Sequence, residues 1–243
     1  MNLSEMNHSD LRLRLGAANF DLSYGLFGSE SNARDEAQGI LTLSSSVGIR
    51  CIDSAMSYTN ANQVLNRAKL PKHTVGTKIS IADATLPLGE LRSLLGLHLS
   101  DFGASFFDYI LIHDGDNLQF QPKSVLKTVE HNLRKLNEIG VTQKFGVSLY
   151  DYSLLNVLDE LVGGISLIQG PLNIFDQRAL DKAVRERLSL YEYQARSIFL
   201  QGMLLAEEDI QQKKFPKFKD LFRTLANFCE QESLSKLELC IDF

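Results

Sequence analysis

Asp53, Tyr58, Lys78 and His113 stand where a folded chain has little structural need of them. Asp53 closes the strand-like run 49–53, Lys78 falls at the end of 74–79, and His113 follows 107–112; Tyr58 lies in the segment just after Asp53. Singly, each has an ordinary reading. An Asp at a strand end caps or turns the chain, and a lone His, Lys or Tyr there is a satisfied hydrogen-bonder or a snorkelling surface group. Three successive strands ending in Asp, Lys and His, with a Tyr on the intervening segment, are hard to obtain from packing demands alone. A strand-end lysine can be a Schiff-base nucleophile, as in a lyase, but a nucleophile must be neutral. The adjoining Asp53 and Tyr58 argue for an ion-paired lysine instead.

The elements that would position these four alternate strand with helix, which implies a parallel sheet. Seven runs of strand character are expected, at 11–15, 49–53, 74–79, 107–112, 144–148, 165–169 and 195–199, alternating with amphipathic segments. Ala33, Ala37, Ile40 and Leu41 form one helical face after the cap candidates Ser31 and Asn32, with Gly48 as the stop. Val125, Val129, Leu133 and Leu136 form another between Pro122 and Gly140; Phe218, Leu221, Phe222, Leu225 and Phe228 a third after Pro216. Leu88, Leu91, Leu94 and Leu95 suggest a fourth, and Leu154, Leu155 and Leu158 a weaker fifth. Each parallel pair needs a crossover, and the crossover helices cover the sheet. The first strand runs into Gly16-Ala17-Ala18-Asn19-Phe20 rather than a G-x-G-x-x-G turn, which favours a (β/α)8 TIM-type barrel over an open dinucleotide fold. In a barrel the C-terminal strand ends line a single mouth.

The end of the sequence carries a capping-box signature at Ser235 and Glu238, opening a helix of barely two turns before Phe243. No eighth strand is legible, so the expectation is a single barrel domain over 1–243 with seven of eight strands encoded, the last strand and helix missing, and two apolar sheet edges exposed.

With 243 residues, 44% hydrophobic and 23% charged, the chain is neither disordered nor collagen-like, and its apolar content suffices for one packed core. Its net charge of -5 offers no basic footprint for nucleic acid. Cys51, Cys229 and Cys240 stand far apart, without a zinc or disulfide pattern, and are read as reduced cytosolic thiols. No uncharged apolar run is long enough to span a membrane, and the N-terminus is polar. A soluble cytoplasmic protein is expected, with no membrane partner and no metal.

The sequence resembles the aldo-keto reductase superfamily over nearly its whole length. The resemblance rests on LGAANF at 15–20, GIRCIDSAMSY at 48–58, Thr77-Lys78, LIHD at 111–114, FGVSLY at 145–150, IQGPLNIFDQR at 168–178 and RSIFLQGMLL at 196–205. It implies a catalytic tetrad of Asp53, Tyr58, Lys78 and His113, and hydride transfer between a nicotinamide and a small-molecule aldehyde or ketone. Tyr58 would be the general acid: a phenol of pKa about 10 suits neutral pH poorly unless a neighbouring ammonium favours its anion. Lys78 would tune it, with Asp53 behind the lysine, and His113 would orient the carbonyl. The resemblance also implies that Asp53, Ser148 and Gln169 contact the nicotinamide end of the cofactor. Arg196 would occupy the place of a stacking tyrosine. The loop containing Ser197, Leu200, Gln201 and Gly202 would donate to the pyrophosphate. NADP is expected ahead of NAD, although the segment that holds the 2′-phosphate in relatives is absent.

Three departures stand out: Arg196 itself, Leu149 where an asparagine is common, and no acid near Asn62 and Gln63. Asn19, Asp21 and Tyr24 are candidates for lining the substrate pocket. The alternative to an active reductase is a non-catalytic shortened barrel that binds cofactor weakly or not at all.

Overall fold

A computed structural model describes residues 13–20, 33–67 and 73–243. Seven strands form one parallel sheet in sequential order: β1 (Leu15–Gly16), β2 (Cys51–Asp53), β3 (Thr74–Ile79), β4 (Phe107–Ile112), β5 (Thr142–Ser148), β6 (Leu167–Pro171) and β7 (Glu192–Arg196). Between and after them lie α1 (Ala33–Ser46), α2 (Thr59–Arg67), α3 (Ile81–Ala84), α4 (Leu88–Asp101), α5 (Lys123–Glu138), α6 (Leu158–Leu161), α7 (Lys182–Leu188), α8 (Glu208–Lys214), α9 (Lys219–Glu232) and α10 (Lys236–Asp242). The sheet curls as a (β/α)8 barrel does, with seven of that fold's strands among the described residues. Its two edges are β1 and β7.

Period-two alternation divides each strand between helices and lumen. Ile52, Val75, Ile79, Ile110, Ile112, Val147 and Ile168 pack outward into the main core with Leu91 and Leu95 of α4 and Val129, Leu133 and Leu136 of α5. Tyr109, Leu111 and Leu167 form a separate buried cluster in the lumen, against Cys51. Its bulk is accommodated by a glycine opposite: a Cβ at residue 76 would lie 1.9 Å from Tyr109 Cζ. The alternation places Asp53, Lys78, His113, Ser148, Gln169 and Arg196 on that inner side, toward the C-terminal strand ends.

The opposite end is closed by charge. Arg14 Nη1 donates to Asp108 (2.7 Å) and to Cys51 Sγ (2.8 Å), its guanidinium covers the Tyr109 ring at 4.8 Å, and Nη2 reaches Glu192 at 3.4 Å. Lys144 also pairs with Glu192. This network joins the segment before β1 to β7, across the two sheet edges.

The glycine stops hold, since Gly48 and Gly140 adopt left-handed φ of 87° and 75°. The Ser235–Glu238 capping box opens α10. Several expectations need correction. The last strand is not 195–199 but Glu192–Arg196, whose half-exposed, mixed EYQAR pattern conceals it. The apolar SIFL that follows is turn, with positive φ at Ser197 and Leu200. For the same reason the β7 edge is polar rather than apolar. The α9 face is also narrower than the aromatic spacing suggests: Phe222, Leu225 and Cys229 are buried, while Phe218, Leu221 and Phe228 are exposed. Leu154, Leu155 and Leu158 fall in a 3-10 turn and the four-residue α6. The expected first strand is described only from its last residues, and Ser31, Asn32, Asp21 and Tyr24 lie outside the described residues.

Candidate active site

The loop after β2 is fixed before any side chain acts. Ser54 N donates to Gly76 O and Met56 N to Lys78 O, extending the ladder past the strand ends, and Tyr58 N turns back to Ala55 O at 3.0 Å. Asn62, buried on α2, accepts from Ser54 Oγ (2.7 Å) and donates to Ala55 O (2.9 Å), so the loop carrying Tyr58 is pinned from below. A buried carboxylate could not make the second of these bonds, which gives the amide at this position a physical reason. His113 is held by its own N–H, which donates to Ile79 O at 2.8 Å.

On that frame the four predicted residues meet. Lys78 Nζ donates to Asp53 Oδ2 at 2.6 Å and to Ser54 O at 3.0 Å. The same nitrogen stands 5.7 Å from the centre of the Tyr58 ring. The Tyr58 and His113 rings meet edge to face at 5.9 Å, and Ser57 Oγ approaches His113 Nδ1 at 3.4 Å. Lys78 is only 3% exposed. Burial draws its pKa below the ordinary lysine value, and the Asp53 carboxylate opposes that pull. His113 is also lowered, first by desolvation and then by the Lys78 charge, so at neutral pH it is a neutral imidazole able to donate one hydrogen bond.

The cofactor candidates line the same face. Ser148 and Gln169 are both buried. Gln169 Nε2 donates to Asp53 Oδ1 at 3.1 Å, and because a carboxylate only accepts, Oε1 must face the other way; it is buried without a partner among the described residues. A buried orphan acceptor is a place for a ligand's N–H, which suits the carboxamide of a nicotinamide. Arg196 stacks on Tyr150 at 3.7 Å and donates to Leu149 O (3.2 Å) and Ser197 Oγ (3.3 Å), leaving Nε buried and unpaired among the described residues. In the following loop Ser197, Leu200 and Gln201 hold positive φ of 57°, 46° and 56°, which costs L residues roughly 1 kcal/mol or more each, and Gly202 takes 87° without that cost. Strain of this kind collects where a site is shaped. The expectation that the whole loop offers amides is corrected: Leu200 N–H and Gly202 N–H are bonded to Ser197 O and Phe199 O, so these two residues shape the loop rather than present donors. Tyr109, Gln194 and Tyr150 were not singled out from the sequence. For Tyr109 a signal existed, because a tyrosine two residues from Leu111 and four from His113 shares their inward parity, and a buried phenol needs a partner.

The fold is that of a (β/α)8 barrel whose mouth gathers a carboxylate, an ammonium, a phenol and an imidazole. Residues 12–243 match the family model described as the aldo/keto reductase family, and the chain belongs to that family of NAD(P)-dependent oxidoreductases. Similar solved structures agree in fold. An aldo/keto reductase from Klebsiella pneumoniae in complex with NADP and acetate has a TM-score of 0.66 at 16% identity, covering 91% of this chain and 72% of that one. A glycerol dehydrogenase from Gluconobacter oxydans gives 0.64 at 19% identity, with 94% and 77% covered. A Bombyx mori aldo-keto reductase in complex with NADP gives 0.57 at 16%, with 76% and 62% covered. A search of curated protein sequences found no significant match. No helix among the described residues is long and apolar enough to cross a membrane.

Proposed function

We propose that the protein reduces an aldehyde or ketone to an alcohol, or runs the reverse reaction, with Tyr58 exchanging the proton. The observation that carries this reading is the buried ion pair, Lys78 Nζ to Asp53 Oδ2 at 2.6 Å, with that ammonium facing the Tyr58 ring and His113 beside it. A nearby cation stabilises a phenolate, so Tyr58 gives its proton to a developing alkoxide more readily than a free phenol. His113, neutral, donates a hydrogen bond that holds the carbonyl oxygen where charge develops. Asp53 keeps Lys78 charged and oriented, which speaks against a Schiff-base role. When bound, the nicotinamide cofactor supplies or takes up the hydride. Ser148 and Gln169 would hold its carboxamide, with Gln169 Oε1 accepting; Arg196 would lie against its ring; and Ser197 and Gln201, in the loop that Leu200 and Gly202 shape, would reach its phosphates. NADP is favoured over NAD because two of the similar structures hold NADP. We read the chain as one barrel unit acting on small molecules in the cytoplasm.

The test is consumption of NADPH across a panel of small aldehydes by the protein and its Tyr58→Phe variant, with cofactor affinity followed by fluorescence. Turnover that falls about 10²–10⁴-fold in the variant, with unchanged cofactor affinity, supports the proton-donor role. Equal turnover in both refutes it.

A further inference from the structure

We infer that Tyr109 is a positioning residue for the proton-transfer group: by binding Asp53 from inside the barrel, it sets how much of the Lys78 charge reaches Tyr58. The inference rests on the proposed role of Tyr58. Its starting point is the number of donors on one carboxylate. Asp53 Oδ2 takes Lys78, while Oδ1 takes the Tyr109 hydroxyl at 2.6 Å and Gln169 Nε2 at 3.1 Å. Tyr109 is fully buried and its direction is fixed. Its hydroxyl donates to Asp53, which cannot donate in return, and accepts from Gln194 Nε2 at 3.3 Å. Its ring is clamped between the Arg14 guanidinium at 4.8 Å and the space that Gly76 leaves open. Burial and the Asp53 charge hold its pKa well above the ordinary tyrosine value, so it remains a donor across the working range of pH.

The consequence follows from charge sharing. A carboxylate that serves three donors neutralises each of them less than one that serves a single ammonium. With Tyr109 in place, Lys78 keeps more positive field toward Tyr58, and the phenol is the stronger acid. With Tyr109 removed, Asp53 turns its charge onto Lys78 and the Tyr58 pKa rises. The charged and titratable groups around this unit are Asp53, Lys78, His113 with Asp114 behind it, and Arg196; Arg14 and Cys51 face Tyr109 from the far end.

The experiment compares the full chain with its Tyr109→Phe variant in two readouts: the pH profile of kcat/KM with NADPH and an aromatic aldehyde, and ultraviolet titration of tyrosinate, with Tyr58→Phe identifying the Tyr58 signal. The expected result is a rise of about one pH unit in both the alkaline limb and the Tyr58 ionisation, with a roughly tenfold lower rate at neutral pH and unchanged NADPH affinity. Site-specific 3,5-difluorotyrosine at position 109, a stronger donor of nearly the same size, is expected to shift both readouts the opposite way, and it carries the test if the Phe variant misfolds. Unmoved profiles in the variant that folds, or a shift of the same sign with the fluorinated residue, overturn the inference. Loss of activity in Tyr58→Phe together with an unmoved profile in Tyr109→Phe refutes only the role of Tyr109. Full activity in Tyr58→Phe refutes the underlying reading.

Discussion

The two ends of the barrel are built from the same strands and solve opposite problems. At the N-terminal ends, Arg14, Asp108, Lys144 and Glu192 exchange charges until each has a partner, and Cys51 Sγ accepts a further N–H of Arg14. At the C-terminal ends, one ion pair, the buried Lys78 with the partly buried Asp53, shares the inner face with polar atoms that have no partner among the described residues: Gln169 Oε1, Gln194 Oε1 and Arg196 Nε. Unpaired buried polar atoms cost about 1–3 kcal/mol each, so a sheet evolved for stability alone would not keep them. The lesson is that the satisfied end holds the sheet together and the unsatisfied end is available to bind.

The sharpest break of this comparison lies at Lys78. Lys78→Met leaves the partly buried Asp53 carboxylate without its counter-ion, held only by Tyr109 and Gln169, and is expected to cost about 2–3 kcal/mol of stability, together with most of the activity, because Tyr58 loses the cation that makes it acidic. Chemical denaturation and steady-state kinetics at several pH values check both. If stability drops with the pH profile unmoved, the pair is structural only.

A buried base one residue away sharpens the point. Thr77, on the outward face of β3, contacts His98 Nε2 of α4 at 2.9 Å, and no carboxylate among the described residues is bonded to His98. Desolvation lowers its pKa to about 4 from the ordinary 6.5, with Asp101 only partly opposing. Its proton is therefore bound more readily by the unfolded chain. The stability it preserves is complete above pH 6.5 and lost as pH falls toward about 4, roughly 3 kcal/mol in all. His98→Gln, a neutral side chain that can still meet Thr77, is expected to flatten that acid limb in melts between pH 7 and 4. An unchanged limb would place the acid sensitivity elsewhere. The lysine keeps its charge through a counter-ion, and the histidine gives its charge up.

Much of this could be read before any coordinates. Strand-end placement of Asp53, Lys78 and His113 follows from residue type and period-two alternation, and these local signals carried the site. What stayed hidden depends on contacts remote in sequence. The Tyr109–Asp53 bond joins positions 56 apart, and it needs a glycine at 76 that a strand pattern reads only as a weak point. The residue pattern points past the start of β7 because an edge strand facing a lumen need not be apolar, whereas the turn after it is. The aromatic spacing of α9 over-predicted its core face because only a narrow strip meets Leu204 and Cys240.

The smallest expected effect tests the satisfied end. Glu192 accepts from Lys144 and from Arg14, and its side chain is 41% exposed. Glu192→Gln keeps the shape and removes the charge, so the two cations lose part of their compensation in a place where water already screens them. The expected loss is about 0.5–1 kcal/mol, seen as a small fall in Tm that shrinks further in high salt. Turnover and its pH profile are expected to stay where they were, since Glu192 lies at the other end of β7 from Arg196 and bonds to none of the mouth residues. A several-fold change in kcat would mean that the ionic end governs the mouth through the sheet edges, and the division of labour between the two ends would fail.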